Sequence, residues 1–141
     1  MTTNRVVWLD CGMLPIEVAF CPSEAIWKRE AKRLGLPLEP YPEHTACATD
    51  FTNSGRLTAV LVTVLEDADP HYRRNPGRLF GILCHEAVHV WQTACKEMQE
   101  KEPSHEFEAY TVQHLAEQLF DAYRKTRGAK PKARKSKRKG K

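Results

Sequence analysis

Residues 76–98 read PGRLFGILCHEAVHVWQTACKEM, and the fold turns on this stretch. Asn75 and Pro76 make an N-cap and first-turn pair, and no breaker follows until Lys101-Glu102-Pro103. The run therefore predicts one long helix from Pro76 to about Met98. At about 100° per residue, His85 and His89 fall on one face, with Ile82 and Val88 flanking them. Phe80, Leu83, Ala87, Trp91, Ala94 and Met98 gather on the opposite side. The histidines thus point away from the helix's main apolar stripe, on a face expected to be covered rather than solvated.

Downstream, Ser104 is placed to cap a second helix running to about Arg127 and closed by Gly128. Val112, Leu115, Ala116, Leu119 and Tyr123 form its apolar stripe, and the break at 101–103 makes the two helices an antiparallel pair. Upstream, RVVWL (5–9) and IEVAF (16–20) read as short strands. Ser23 caps a helix from Glu24 to about Leu34, with Ile26, Trp27, Ala31 and Leu34 inward and Gly35 at its end. LPLEPYPEH (36–44) is an extended connector. Residues 45–51 and 56–66 form a hairpin across Thr52-Asn53-Ser54-Gly55, and 67–75 is a polar loop. The order predicts an α+β fold, a small, mostly antiparallel sheet packed on two long helices. Trp8, Trp27 and Trp91 sit on apolar patterns and are core candidates.

The chain has 141 residues, 41% hydrophobic and 28% charged, which bounds it to one domain and excludes collagen, rods and wholesale disorder. Its longest apolar run, 57–65, falls far short of the ~20 residues of a membrane-spanning helix. MTTNRVVWLD lacks the apolar core of a secretory signal, so a cytoplasmic location is expected, and no membrane partner. Five cysteines, an odd number without a CxxC pair, suit a reducing compartment; Cys84 and Cys95 are packing residues by their position on the helix.

The net charge of +4 conceals two regions. Residues 129–141 carry eight of the 22 basic residues and no acid, leaving 14 basic against 18 acidic over 1–128. The chain divides into a domain at 1–128 and a basic tail at 129–141 expected to be disordered. The tail reads either as a solubilising terminus or as an arm for nucleic acid or an acidic partner. Without an aromatic residue it cannot stack on bases, so any such binding is sequence-independent and salt-sensitive.

His85-Glu86-Ala87-Val88-His89 is an HExxH motif. Two imidazoles at i and i+4 can share one Zn²⁺, and the glutamate between them can take a proton from water on the metal. A catalytic zinc needs a third protein ligand and keeps its fourth position open. Glu108, heading the apolar stripe of the last helix, is the candidate, since a carboxylate on an apolar face must be paired, metal-bound or neutralised. His105, one turn earlier and also expected to face inward, is the alternative ligand or an oxyanion stabiliser. Glu106 lies off the stripe and should be solvated. Further oxyanion donors are Tyr110, His71 and Tyr72. His44, His71 and His114 lack partner spacing and read as surface residues. Gln92 or Thr111 is placed to support the histidines, and the strand within 57–66 to receive an extended peptide by strand addition.

HEAVH followed by a helix carrying Glu108-Ala109 resembles the gluzincin class of zinc metallopeptidases, most of all its small, minimal members. HEAVHVWQ with EFEAYTVQHLAEQL is also similar to small metallopeptidase-like proteins of tailed phages and prophages. The resemblance covers about 76–123. It implies a minimal zincin-like fold, Zn²⁺ held by His85, His89 and Glu108, Glu86 as the base, and hydrolysis of a peptide or protein. No Asn stands before Glu108 to match the family pattern. For a phage-encoded protein the resemblance implies the host cytoplasm or the virion. The alternative is a catalytically silent structural or phage-assembly protein of the same fold, associated with nucleic acid through its tail.

Overall fold

Ile16, Val18 and Phe20 alternate with Ala19 and Cys21, and the two sets bury into separate cores on opposite faces of a sheet. In the computed structural model the residues described are 5–35, 40–51 and 57–127. The chain runs β1 (Val7–Trp8), β2 (Ile16–Phe20), α1 (Glu24–Arg33), β3 (Ala46–Phe51), β4 (Thr58–Val64), a 3-10 turn (Glu66–Ala68), α2 (Asp69–Arg74), α3 (Pro76–Met98) and α4 (His105–Arg127). This is an α+β fold. The turn at 52–55, Gly128 and the tail lie outside the described residues. No helix among those residues is long and apolar enough to cross a membrane.

The sheet has the order β1-β2-β4-β3. β1 pairs β2 and β3 pairs β4 antiparallel, whereas β2 and β4 run parallel, Val18 opposite Val60 and Phe20 opposite Val62. A parallel pair needs a crossover, here the stretch that includes α1 and β3. α1 covers one face through Ile26, Trp27, Ala31 and Leu34. α3 and α4 cover the other, where Leu83, Ala87, Val90, Leu115 and Leu119 meet Val18, Phe20, Val60 and Val62. Every residue of β4 is buried, Thr58 and Thr63 included, as a strand covered on both faces requires. β4 is paired on both sides, so it cannot receive an added strand; the free edge beside it is β3, which corrects the expectation for 57–66.

Several ends follow the local rules. Ser23 Oγ accepts from the Ile26 N–H, Ser104 Oγ from the Phe107 N–H, and Gly35 takes φ +70° after α1. Others differ. Asn75 precedes Pro76 as expected, but its side chain donates to the His71 carbonyl and closes α2 instead of capping α3. The expected polar loop at 67–75 contains α2, with Tyr72 and Asp69 buried. Trp27 and Trp91 are core residues, whereas Trp8 is 39% exposed on the two-residue β1.

Arg127, 1% exposed, ties the end of α4 to the end of β4. Its guanidinium donates to the Val64 and Leu65 carbonyls and forms an ion pair with Asp69, whose carboxylate also accepts from the Tyr123 hydroxyl. Burial, then the bond to Asp69, pushes the Tyr123 hydroxyl well above its ordinary range. This cluster fixes the 3-10 turn and α2 against the sheet, and α2 forms one wall of the site.

Candidate active site

His85 and His89 lie one turn apart on α3, and their Nε2 atoms stand 3.0 Å from each other. Both imidazoles line an open cavity of about 1160 Å³ between α3, the free edge of the sheet and α2. They are exposed to this cavity, where a covered face had been expected. Gln92 Oε1 lies 3.0 Å from His89 Nδ1. An amide oxygen only accepts, so this contact suits the tautomer with the proton on Nδ1 and the Nε2 lone pair on the cavity side. Gln92 thus takes the supporting position, and no contact of Thr111 with the histidines is found among the described residues.

Glu86 sits on the sheet-facing edge of α3 and is 4% exposed. Burial raises its carboxyl pKa, while His85, His89, His44 and a hydrogen bond from the Ala48 backbone pull the other way. The register explains the bond. Thr45 O accepts from Leu65 N, so the alternate residues Ala46, Ala48 and Asp50 turn their backbone groups away from β4. Among the described residues no strand pairs with this edge of β3, which faces α3, and Ala46, Ala48 and Asp50 all line the cavity.

The cavity wall next to α2 holds His44, His71, Tyr72 and Arg78. The Tyr72 hydroxyl is raised by burial, with the Arg78 guanidinium opposing. Of the oxyanion donors named from sequence, His71 and Tyr72 line this cavity. His105 and Tyr110 do not; His105 is exposed at the first residue of α4, against the inward position expected, and Tyr110 is 67% exposed. Glu106 is exposed, and His114 meets the Asp10 carbonyl at the surface.

α4 returns antiparallel along α3, Phe107 against Trp91 and Phe120 against Phe80. Glu108 accordingly comes back against α3, but on the flank of Trp91 and Cys95, where its Oε2 accepts the Trp91 indole N–H at 2.8 Å. It lines a neighbouring cavity of about 660 Å³, and Gln92 lines both. Among the described residues, no group of three or more His, Cys, Asp or Glu is placed to hold a metal ion. The two converging Nε2 atoms suit two positions of a zinc donor set, and no third protein donor stands with them among the described residues.

Arg78 escaped the sequence reading and His44 was read only as a surface residue, because neither has a spacing partner. His44 precedes β3, and Arg78 lies two turns before His85. All five cysteines are free; Cys84 and Cys95 pack half-buried against the core, as expected. No family model, curated protein or solved structure matches the chain.

Proposed function

We propose that the chain is a zinc-dependent metallopeptidase with a minimal zincin-like fold, acting on extended peptides. The observation that carries this reading is the convergence of His85 and His89 Nε2 at 3.0 Å, with the buried Glu86 carboxylate beside them in a cavity bounded by a free strand edge. His85 and His89 would hold the ion, with Glu108 as the third ligand once its carboxylate leaves the Trp91 indole. Zinc, when bound, supplies Lewis acidity that polarises a carbonyl and acidifies water.

The protein's own residues do the rest. Burial makes Glu86 a better proton acceptor than a surface glutamate, suiting it to take a proton from the attacking water and pass it to the leaving amine. Gln92 holds the His89 ring in the ligating tautomer. Tyr72 and His71 line the wall from which an oxyanion can be stabilised. The outward backbone groups of Ala46 and Asp50 can pair with an extended chain laid along β3.

The engagement of Glu108 with Trp91 favours a second reading: a zincin-fold structural or assembly protein without turnover. Metal analysis by mass spectrometry, with a peptide-cleavage assay, separates the two. The enzyme reading expects about one zinc per chain, lost in His85→Ala and kept in Glu86→Gln, with cleavage in Glu86→Gln reduced by about 10²-fold or more. Zinc without cleavage selects the structural reading, and no zinc after reconstitution overturns both.

A further inference from the structure

The cavity's two halves differ in charge. Along α3, Arg78 lies seven residues before His85 and Lys96 seven after His89, so each stands about 10 Å from the motif at 1.5 Å per residue. In the Lys96 half Asp50 is also in the wall, the next outward-facing residue of β3 after Ala48, which meets Glu86. The Arg78 half is different. Residue 44 precedes β3 beside the end of β4, from which the chain enters the 3-10 turn and α2, so His44, His71 and Tyr72 share that end with Arg78.

Among the described residues the cavity's lining carboxylates are Asp50 and Glu86, so the Arg78 half shows none beyond the motif glutamate. No ion pair of Arg78 is found among the described residues. The same end receives the N-terminus of the 23-residue α3, which has no acidic residue in its first turn and no side-chain cap. Its helix dipole therefore adds positive potential where Arg78 already stands. The half offers a guanidinium, two imidazoles and a phenol, all able to donate hydrogen bonds.

We infer that this half of the cavity is a carboxylate subsite. His44, His71 and Arg78 bind an acidic group of the peptide substrate, supplied either by an Asp or Glu side chain or by the free C-terminus. The inference rests on the peptidase reading and deepens it: Arg78 sets which peptides are accepted, apart from the groups that cleave them. At about 10 Å from the motif, and about 3.3 Å per residue of extended peptide, the acidic group lies roughly three residues from the bond that is cut.

The test is peptide binding to the full chain carrying Glu86→Gln, read by fluorescence anisotropy. The probes are labelled alanine-rich octapeptides with a single Glu moved through each position, against the Gln counterparts. A second pair has a free or an amidated C-terminus. Arg78→Gln is compared with Arg74→Gln, which removes the same charge from an exposed residue of α2 that does not line the cavity. The basic tail is common to both variants, so its attraction for acidic peptides cancels.

The expected result is about tenfold tighter binding of the acidic member of one pair, as for a charge-assisted bond. The preference disappears in Arg78→Gln and survives in Arg74→Gln. The Glu pair or the terminus pair identifies the source of the carboxylate. No preference, including no measurable binding, overturns the inference, as does equal loss in both variants. The same peptides are then offered to the protein with Glu86 intact. An Arg78-dependent preference without cleavage keeps the subsite and removes the peptidase reading; cleavage without that preference does the reverse.

Discussion

At Glu108 two uses of one carboxylate compete. Bonded to Trp91, it pins the start of α4 to α3; released, it would serve as the third ligand of the proposed zinc site. The two roles predict different variants. If Glu108 is a ligand, Glu108→Gln weakens zinc binding by about a hundredfold or more, and Trp91→Phe, which frees the carboxylate, leaves affinity unchanged or tighter. Titration against a chromophoric chelator measures both. Unchanged affinity in Glu108→Gln assigns the residue to packing. His85, Glu86 and His89 were legible in the sequence because a helix converts i and i+4 into one face. Glu108 was legible as a carboxylate that needed a partner, but nothing in its spacing said that an indole N–H would be the partner. His44 and Arg78 were not legible, since they reach the cavity through β3 pairing and the α2–α3 junction.

α3 runs Pro76–Met98, as Pro76 in its first turn and its unbroken periodicity predict, and α4 starts one residue after Ser104. Both helices were readable because each carries a long apolar stripe. α2 was not. Six residues, DPHYRR, are too few to hold a helix alone, and α2 exists through Tyr72 in the core and Asp69 on Arg127. The α4 stripe supports α3 from behind, so its packing sets the rigidity of the histidine pair. Leu119, fully buried between α3 and the sheet, is the probe. Leu119→Ala should cost about 2–5 kcal/mol in urea unfolding. A cost below 1 kcal/mol would mean that α4 carries little of the fold's stability.

Across the whole molecule, Arg127 and Asp69 join the C-terminal end of α4 to β4 and α2 over a separation of 58 residues. Removing one partner leaves the other buried without compensation, so Arg127→Met should cost about 3–5 kcal/mol, and Asp69→Asn combined with it should recover part of the loss. Additive single costs in a double-mutant cycle would show that the pair is not coupled. The Tyr123 hydroxyl adds a pH signature. Its folded pKa is raised above the ordinary 10.0 by burial and then by Asp69, so the neutral phenol favours the folded state. Its contribution is complete below pH 10.0 and is lost as pH rises beyond it, through the raised folded value. Thermal unfolding against pH should therefore show an alkaline decline from about pH 10 that flattens in Tyr123→Phe; an equal decline in the variant would place the titrating group elsewhere.

The amino-acid sequence by itself determined the α+β class, the extents of the two long helices, the hairpin strands and the pairing of His85 with His89, because all of these depend on local periodicity and capping. Only the tertiary structure decided that β2 and β4 run parallel and that β3, not β4, is the free edge. It also gathered His44, His71 and Arg78 at one end of the motif's cavity and engaged Glu108 with Trp91. These depend on contacts between residues far apart in the chain, whose partners are selected by packing and charge compensation rather than by spacing.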